Sequence, residues 1–199
     1  MPERPAQSTP PAPKAIIIAG PNGSGKSTAA TRLLPAGMPF VNADNIAQEL
    51  TGKRGTPADI NAGRILLERV ERLEGDRQDF AFETTLATKM LAARVDGWRS
   101  RGYRVHLLFV WLPSDDLSVL RVQGRVEDGG HDVPEATIRR RYRAGLRNLF
   151  ELYVPRVDTW RIYDNSRGEG PSLIARGGLD GSMKIGEPEL WSAIRGTSA

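Results

Sequence analysis

The nonapeptide Gly20-Pro21-Asn22-Gly23-Ser24-Gly25-Lys26-Ser27-Thr28 limits what this chain can fold into more than any other segment. It meets the spacing G-x-x-x-x-G-K-[ST] at Gly20, Gly25, Lys26 and Ser27. Ahead of it runs Ala15-Ile16-Ile17-Ile18-Ala19, apolar and β-branched, which predicts a buried parallel strand. Behind it residues 26–34 predict a helix that Pro35-Ala36-Gly37 ends. A strand, a glycine-rich turn and a helix in that order make a cradle for phosphate. Glycines let successive N–H groups point inward, and the helix start adds partial positive charge. In such a cradle Lys26 bridges the β- and γ-phosphates of a nucleotide and Ser27 ligates Mg²⁺. ATP or GTP with Mg²⁺ is therefore the expected cofactor set.

The rest of the chain alternates strand and helix signals. Strands are expected over residues 39–44, 80–84, 103–112 and 160–164. A short helix is expected over residues 45–50, and longer ones from Thr56-Pro57, over residues 86–101 and after Pro113-Ser114-Asp115. Ala62, Ile65, Leu66, Val70 and Leu73 share one helical face, as do Ile138, Tyr142, Leu146, Leu149 and Tyr153 further on. Residues 173–175 and 183–185 suggest a small C-terminal hairpin, followed by a helix over residues 189–194. This order implies an α/β sandwich with a mostly parallel five-stranded sheet and helices on both faces. Residues 14–199 read as a single domain and residues 1–13, rich in proline and polar side chains, as a disordered leader.

In open α/β sheets chemistry sits at the carboxyl ends of the strands. Asp44 ends the second strand, where a carboxylate can position an acceptor hydroxyl and take its proton, although a helix cap is also consistent with the position. Glu83 ends the third, in the manner of a Walker B strand, and either holds Mg²⁺ through water or binds the acceptor. Thr84 and Thr85 add hydroxyls beside it. Between the fourth and fifth strands lie Arg121, Arg125, Gly129-Gly130-His131-Asp132-Val133-Pro134 and Arg139-Arg140-Arg141. Arginines on a mobile segment neutralise the charge that phosphoryl transfer concentrates, and a glycine pair supplies a hinge. Arg125 and Arg140 are the candidates, with Arg121 and Arg141 in reserve; the other arginines here read as a solvated face. His131 is either a phosphate donor or a loop residue. Asp164-Asn165-Ser166 follows the fifth strand as a turn.

Composition removes other classes. There are no cysteines, which excludes disulfide frameworks and cysteine-ligated zinc and fits a cytoplasmic setting. No apolar run approaches the roughly 18 residues a membrane helix needs. The net charge of +4 resides largely in the arginines between Arg121 and Arg147. No aromatic stacking platform runs among them, so nucleic acid is not the expected partner.

The ordered set of the phosphate loop, Asn42-Ala43-Asp44, Phe82-Glu83-Thr84-Thr85-Leu86, Gly129-Gly130-His131-Asp132-Val133-Pro134 with its arginines, and Asp164-Asn165-Ser166 resembles the zeta toxin family. These are P-loop kinases related to chloramphenicol phosphotransferase and nucleoside kinases. The resemblance implies a three-layer P-loop kinase fold and transfer of the γ-phosphate to the sugar 3′-hydroxyl of UDP-N-acetylglucosamine. It implies that Lys26 and Asp44 are catalytic, that lid arginines complete the site, and that an antitoxin protein blocks the nucleotide site. The chain is shorter than the best-known toxins, and His131 stands where they carry a second lid arginine. Read without the resemblance, the acceptor can equally be another small hydroxyl compound, such as an antibiotic or a nucleoside. A nucleotide-binding interaction module with little turnover is a further reading.

Overall fold

The computed structural model describes residues 11–42, 46, 58–130 and 132–197, with residues 58–63 described by backbone alone. The expected short helix at 45–50 and the helix start at Thr56-Pro57 therefore lie outside the described residues, apart from helical Ile46. Most of the proposed leader does so as well. Within it, Pro13 is buried and its carbonyl accepts a hydrogen bond from the Arg104 N–H, so sheet pairing begins one residue before Lys14.

The β-branched run forms β1, Lys14–Ala19. The other strands are β2 (Phe40–Val41), β3 (Phe80–Thr84), β4 (Arg104–Trp111), β5 (Thr159–Asp164), β6 (Ser172–Gly178) and β7 (Met183–Ile185). The helices are α1 (Lys26–Leu33), α2 (Ala58–Gly75), α3 (Met90–Ser100), α4 (Asp115–Glu127), α5 (Glu135–Asn148) and α6 (Pro188–Thr197), with a π-helical turn at Leu149–Tyr153 continuing α5. One sheet runs in the order β2-β3-β1-β4-β5-β6-β7. Its first five strands are parallel, and β6 and β7 join antiparallel. The C-terminal hairpin is thus continuous with the main sheet, because β6 pairs along the whole of β5.

Period-two alternation sends the β1 side chains to two cores. Ile17 packs with Phe80, Phe82, Leu107 and Phe109 under α2, α3 and α5. Ile16 and Ile18 pack with Ala81, Leu108 and Tyr163 under α1, which carries Ala30. Helices on both faces leave the strands dry, as their apolar content requires. The helix expected from residue 86 begins at Met90, since Leu86 adopts a positive φ of 55° that no helix accommodates.

Register places the strand ends together. Ala19 lies opposite Thr84 on one side and Phe109 on the other, and Asp164 lies opposite Trp111. The turn after β1, the ends of β2 and β3, and the turn after β5 therefore meet at one edge of the sheet.

Candidate active site

The turn from β1 to α1 is held in shape by two glycines in particular. Gly20 has φ +144°, and a Cβ there would overlap the Val110 carbonyl oxygen. Gly25, at φ +78°, is the N-cap of α1 and supplies no side-chain cap. No acidic residue occupies the first turn, and the Ala29 N–H is bonded to the Gly25 carbonyl at 2.8 Å. The N–H groups of Lys26, Ser27 and Thr28 precede any intrahelical acceptor. They present the positive end of a helix whose own first turn holds no acid, a setting that suits phosphate.

Three elements converge on Glu83. Its Oε2 accepts hydrogen bonds from Ser27 Oγ at 2.7 Å and from Asn42 Nδ2 at 2.7 Å. Asn42 Nδ2 also lies 3.1 Å from Ser27 Oγ. Lys26, only 7% exposed, places Nζ 3.6 Å from Glu83 Oε1 and donates to the Pro21 carbonyl at 2.9 Å. The ammonium is therefore folded back over its own loop beside a carboxylate, within reach of any anion seated on the helix start. Ser27 Oγ and the Glu83 carboxylate are hard oxygen donors at one point and fit Mg²⁺, whose remaining positions nucleotide phosphate and water commonly fill. Among the described residues no cluster of three or more His, Cys, Asp or Glu offers a metal cage of protein ligands alone.

A second layer fixes the loop. Asn165 Nδ2 donates to the Ser24 carbonyl at 2.8 Å. Arg121 on α4 donates to the carbonyls of Asn165 and Ser166, both at 2.8 Å. Buried Asp164 accepts from the Ser166 N–H at 2.9 Å and its hydroxyl at 2.8 Å. The turn after β5 is thus a strut between α4 and the phosphate loop, a role sequence reasoning did not assign to it. Asn42 was likewise part of a matching segment without a role of its own. Its signal was a polar side chain closing an apolar strand.

The arginines divide by contact. Arg139 binds Glu135 at 2.8 Å, Asp115 at 3.0 Å and Asp116 at 2.6 Å, and Arg143 reaches Asp115 at 3.3 Å, so both tie α5 to the start of α4. Arg121 is engaged as described. Arg125 is half-buried near the end of α4, where the Gly130 N–H bonds to its carbonyl at 2.8 Å, and Arg140 is exposed on α5. Asp44 and His131 lie outside the described residues. Thr85 sits just past β3, its carbonyl packed where Gly145 of α5 has no side chain. The same segment is pinned by Asn148 Nδ2, which donates to the Leu86 carbonyl at 2.6 Å, and by the Tyr153 hydroxyl, which donates to the Thr88 carbonyl at 3.3 Å. Burial pushes Tyr153 and Tyr142 up to about 12, which keeps both as proton donors; Tyr142 donates to the Leu112 carbonyl at 2.8 Å.

A family model described as an AAA domain matches residues 16–148, from β1 to the end of α5. An uncharacterized protein of Haemophilus influenzae is 30% identical over 129 residues, covering 65% of this chain and 92% of that protein. Among solved structures, the complex of AvrRxo1-ORF1 with AvrRxo1-ORF2 superposes with a TM-score of 0.74 at 16% identity, over 94% of this chain. The match spans 65% of the AvrRxo1 chain, and that complex has also been solved with ATP at the same TM-score of 0.74. The PezAT chromosomal toxin-antitoxin system of Streptococcus pneumoniae gives a TM-score of 0.61 at 17% identity, over 97% of this chain and 88% of that one. At these identities the structural likeness speaks for a shared P-loop kinase-like fold.

Proposed function

The chain belongs to the AAA-domain family, and on that premise we propose that it is a P-loop phosphotransferase moving the γ-phosphate of ATP or GTP to a hydroxyl of a small molecule. The observation that carries this reading is the convergence of Ser27, Asn42, Glu83 and Lys26 at the uncapped start of α1. Residues 22–28 hold the nucleotide phosphates through their N–H groups. Lys26, released from the Pro21 carbonyl, moves onto the phosphate oxygens. Ser27 and Glu83 hold Mg²⁺, which supplies charge neutralisation at the phosphates. Asp44 follows Asn42 by two residues and is the candidate to position the acceptor hydroxyl and accept its proton. Thr85 and Glu83 are the candidates to bind the acceptor, with His131 a further donor. Arg125 and Arg140, from α4 and α5, neutralise the transferring group.

The acceptor we favour is a UDP-activated sugar such as UDP-N-acetylglucosamine, as in the zeta toxin family. The likeness of the fold to a toxin-antitoxin protein and to AvrRxo1-ORF1, each solved with or described alongside a second component, supports a protein partner that occludes the site. Purified protein should form ADP or GDP in a manner dependent on the sugar nucleotide. Mass spectrometry of cells expressing wild-type or Lys26→Ala protein should show a phosphorylated metabolite in the first alone. Dependence on an antibiotic or nucleoside would reassign the acceptor, and the absence of any turnover would leave an interaction module. Asp44→Asn should retain nucleotide binding and lose transfer; loss of binding in that variant would indicate a structural role for Asp44.

A further inference from the structure

The antiparallel half of the sheet carries a feature unrelated to the phosphate loop. Register sets Arg161 of β5 opposite Arg176 of β6, and Arg176 opposite Lys184 of β7. The three cations form one row across three strands, and all are exposed. Like charges directly opposed on an antiparallel ladder are destabilising. None of the three forms an ion pair among the described residues. Of the nearby acids, Asp158 is engaged by Arg99, Arg104 and the Val105 N–H, and Asp180 accepts from the Ser182 N–H. On this face α1 covers Ile16, Ile18, Leu108 and Tyr163 and leaves the cationic row uncovered.

A cavity of about 340 Å³ opens over the row, lined by the three cations together with Thr159, Gly177 and Ser182. On the opposite face of the same strand, a Cβ at Gly177 would meet the Trp160 ring and the Ser182 carbonyl. The size is at the lower end of small-molecule sites, which begin at roughly 300 Å³. Adjacent strands lie about 4.8 Å apart, so the cations spread over two such gaps and suit an extended row of anionic oxygens better than a single phosphate. Thr159 starts β5 whereas Asp164, at the P-loop edge, ends it, so the cavity sits toward the opposite end of the sheet.

We propose that this face is a second anion site, separate from the phosphate loop, that takes a small molecule bearing a di- or triphosphate group. The bound anion removes the repulsion that the row otherwise imposes. The test is a titration of the ¹⁵N-labelled full chain with sodium tripolyphosphate, followed residue by residue. The amides of Gly177, Ser182 and Lys184 report this site, and those of Gly23 and Gly25 report the phosphate loop. Both groups should shift in the wild type. In Arg176→Gln the first group should require about tenfold more anion, the loss of one charge-assisted contact, while the second titrates as before. Without anion, Arg176→Gln should melt at the same or a higher temperature at low salt, because two repulsions are gone. Lys184→Gln, on the outermost strand, provides a second variant with the same expectation for binding. The proposal is overturned if the Gly177 group does not shift in the wild type, or shifts equally in both variants. It is also overturned if hexaglutamate shifts that group at lower concentration than tripolyphosphate, which would mark a peptide-docking face.

Discussion

Removing the Glu83 carboxylate should destabilise the nucleotide-free protein by about 3 kcal/mol. The Coulomb attraction between Lys26 Nζ and Glu83 Oε1 at 3.6 Å amounts to about 4–5 kcal/mol at an effective dielectric of about 20. Desolvation of both groups offsets part of that, and the 14% exposure of Glu83 screens some of the remainder. The hydrogen bonds from Ser27 and Asn42 contribute about 1.5–3 kcal/mol each as bonds to a charged acceptor, again before desolvation. In Glu83→Ala the Lys26 ammonium, 7% exposed, keeps the Pro21 carbonyl alone as a partner among the described residues, which is why the loss should fall near the range for breaking a buried pair. Urea unfolding of wild type, Glu83→Ala, Lys26→Met and the double variant measures it. The double variant should be more stable than the sum of single losses implies, by about 1–3 kcal/mol of coupling. A loss below about 0.5 kcal/mol in Glu83→Ala with zero coupling would refute the claim that Lys26 and Glu83 are mutually held before nucleotide binds.

Three further outcomes follow from the geometry. Asn165→Ala removes the bond to the Ser24 carbonyl and should weaken binding of a fluorescent ATP analogue by about fivefold, the equivalent of about 1 kcal/mol; unchanged affinity in a folded variant would show that the loop keeps its shape without the strut. Gly20→Ala forces a Cβ against the Val110 carbonyl at φ +144° and should cost about 3 kcal/mol or more in chemical denaturation, and a loss under about 1 kcal/mol would contradict the packing described. His106 is held below its ordinary value of 6.5, chiefly by burial, so below that pH the unfolded chain takes up a proton that the folded chain resists. Its contribution to stability is complete above about pH 6.5 and declines as pH falls toward the folded value. His106→Gln should flatten the stability profile between about pH 5 and 7, and a profile as steep as the wild type would assign the slope to other groups.

Much of the fold was legible because its signals are local. The run Ile16-Ile17-Ile18 can only be a dry strand, and a lysine after two closely spaced glycines at the start of a helix demands a phosphate-loop geometry. Ser114 as the cap of α4, with Leu117 N–H bonded to its Oγ at 3.1 Å, was readable from Pro113-Ser114-Asp115. The helix after β3 was expected four residues early, because nothing in Leu86 announces a positive φ; that conformation is imposed by Thr84 Oγ1 accepting from the Leu86 N–H and by Asn148 holding the Leu86 carbonyl. Arg121, by contrast, looked like a phosphate ligand in reserve. Its two carbonyl partners belong to a turn over forty residues away in sequence, so no local pattern could reveal that it supports the loop instead.

The sequence by itself determined the phosphate loop, the alternation of strand and helix, and the placement of Glu83 near the end of its strand. Each depends on a period or a turn that a few neighbouring residues specify. Tertiary structure alone decided the strand order β2-β3-β1-β4-β5-β6-β7, and with it the meeting of Asn42, Glu83 and Ser27 at one oxygen, the strut from Arg121 through Asn165 to Ser24, and the cationic row on the hairpin side. Parallel pairing joins strands that are far apart in the chain. Which side chains face one another across the sheet is therefore set by how all the strands pack at once, and no segment carries that information alone.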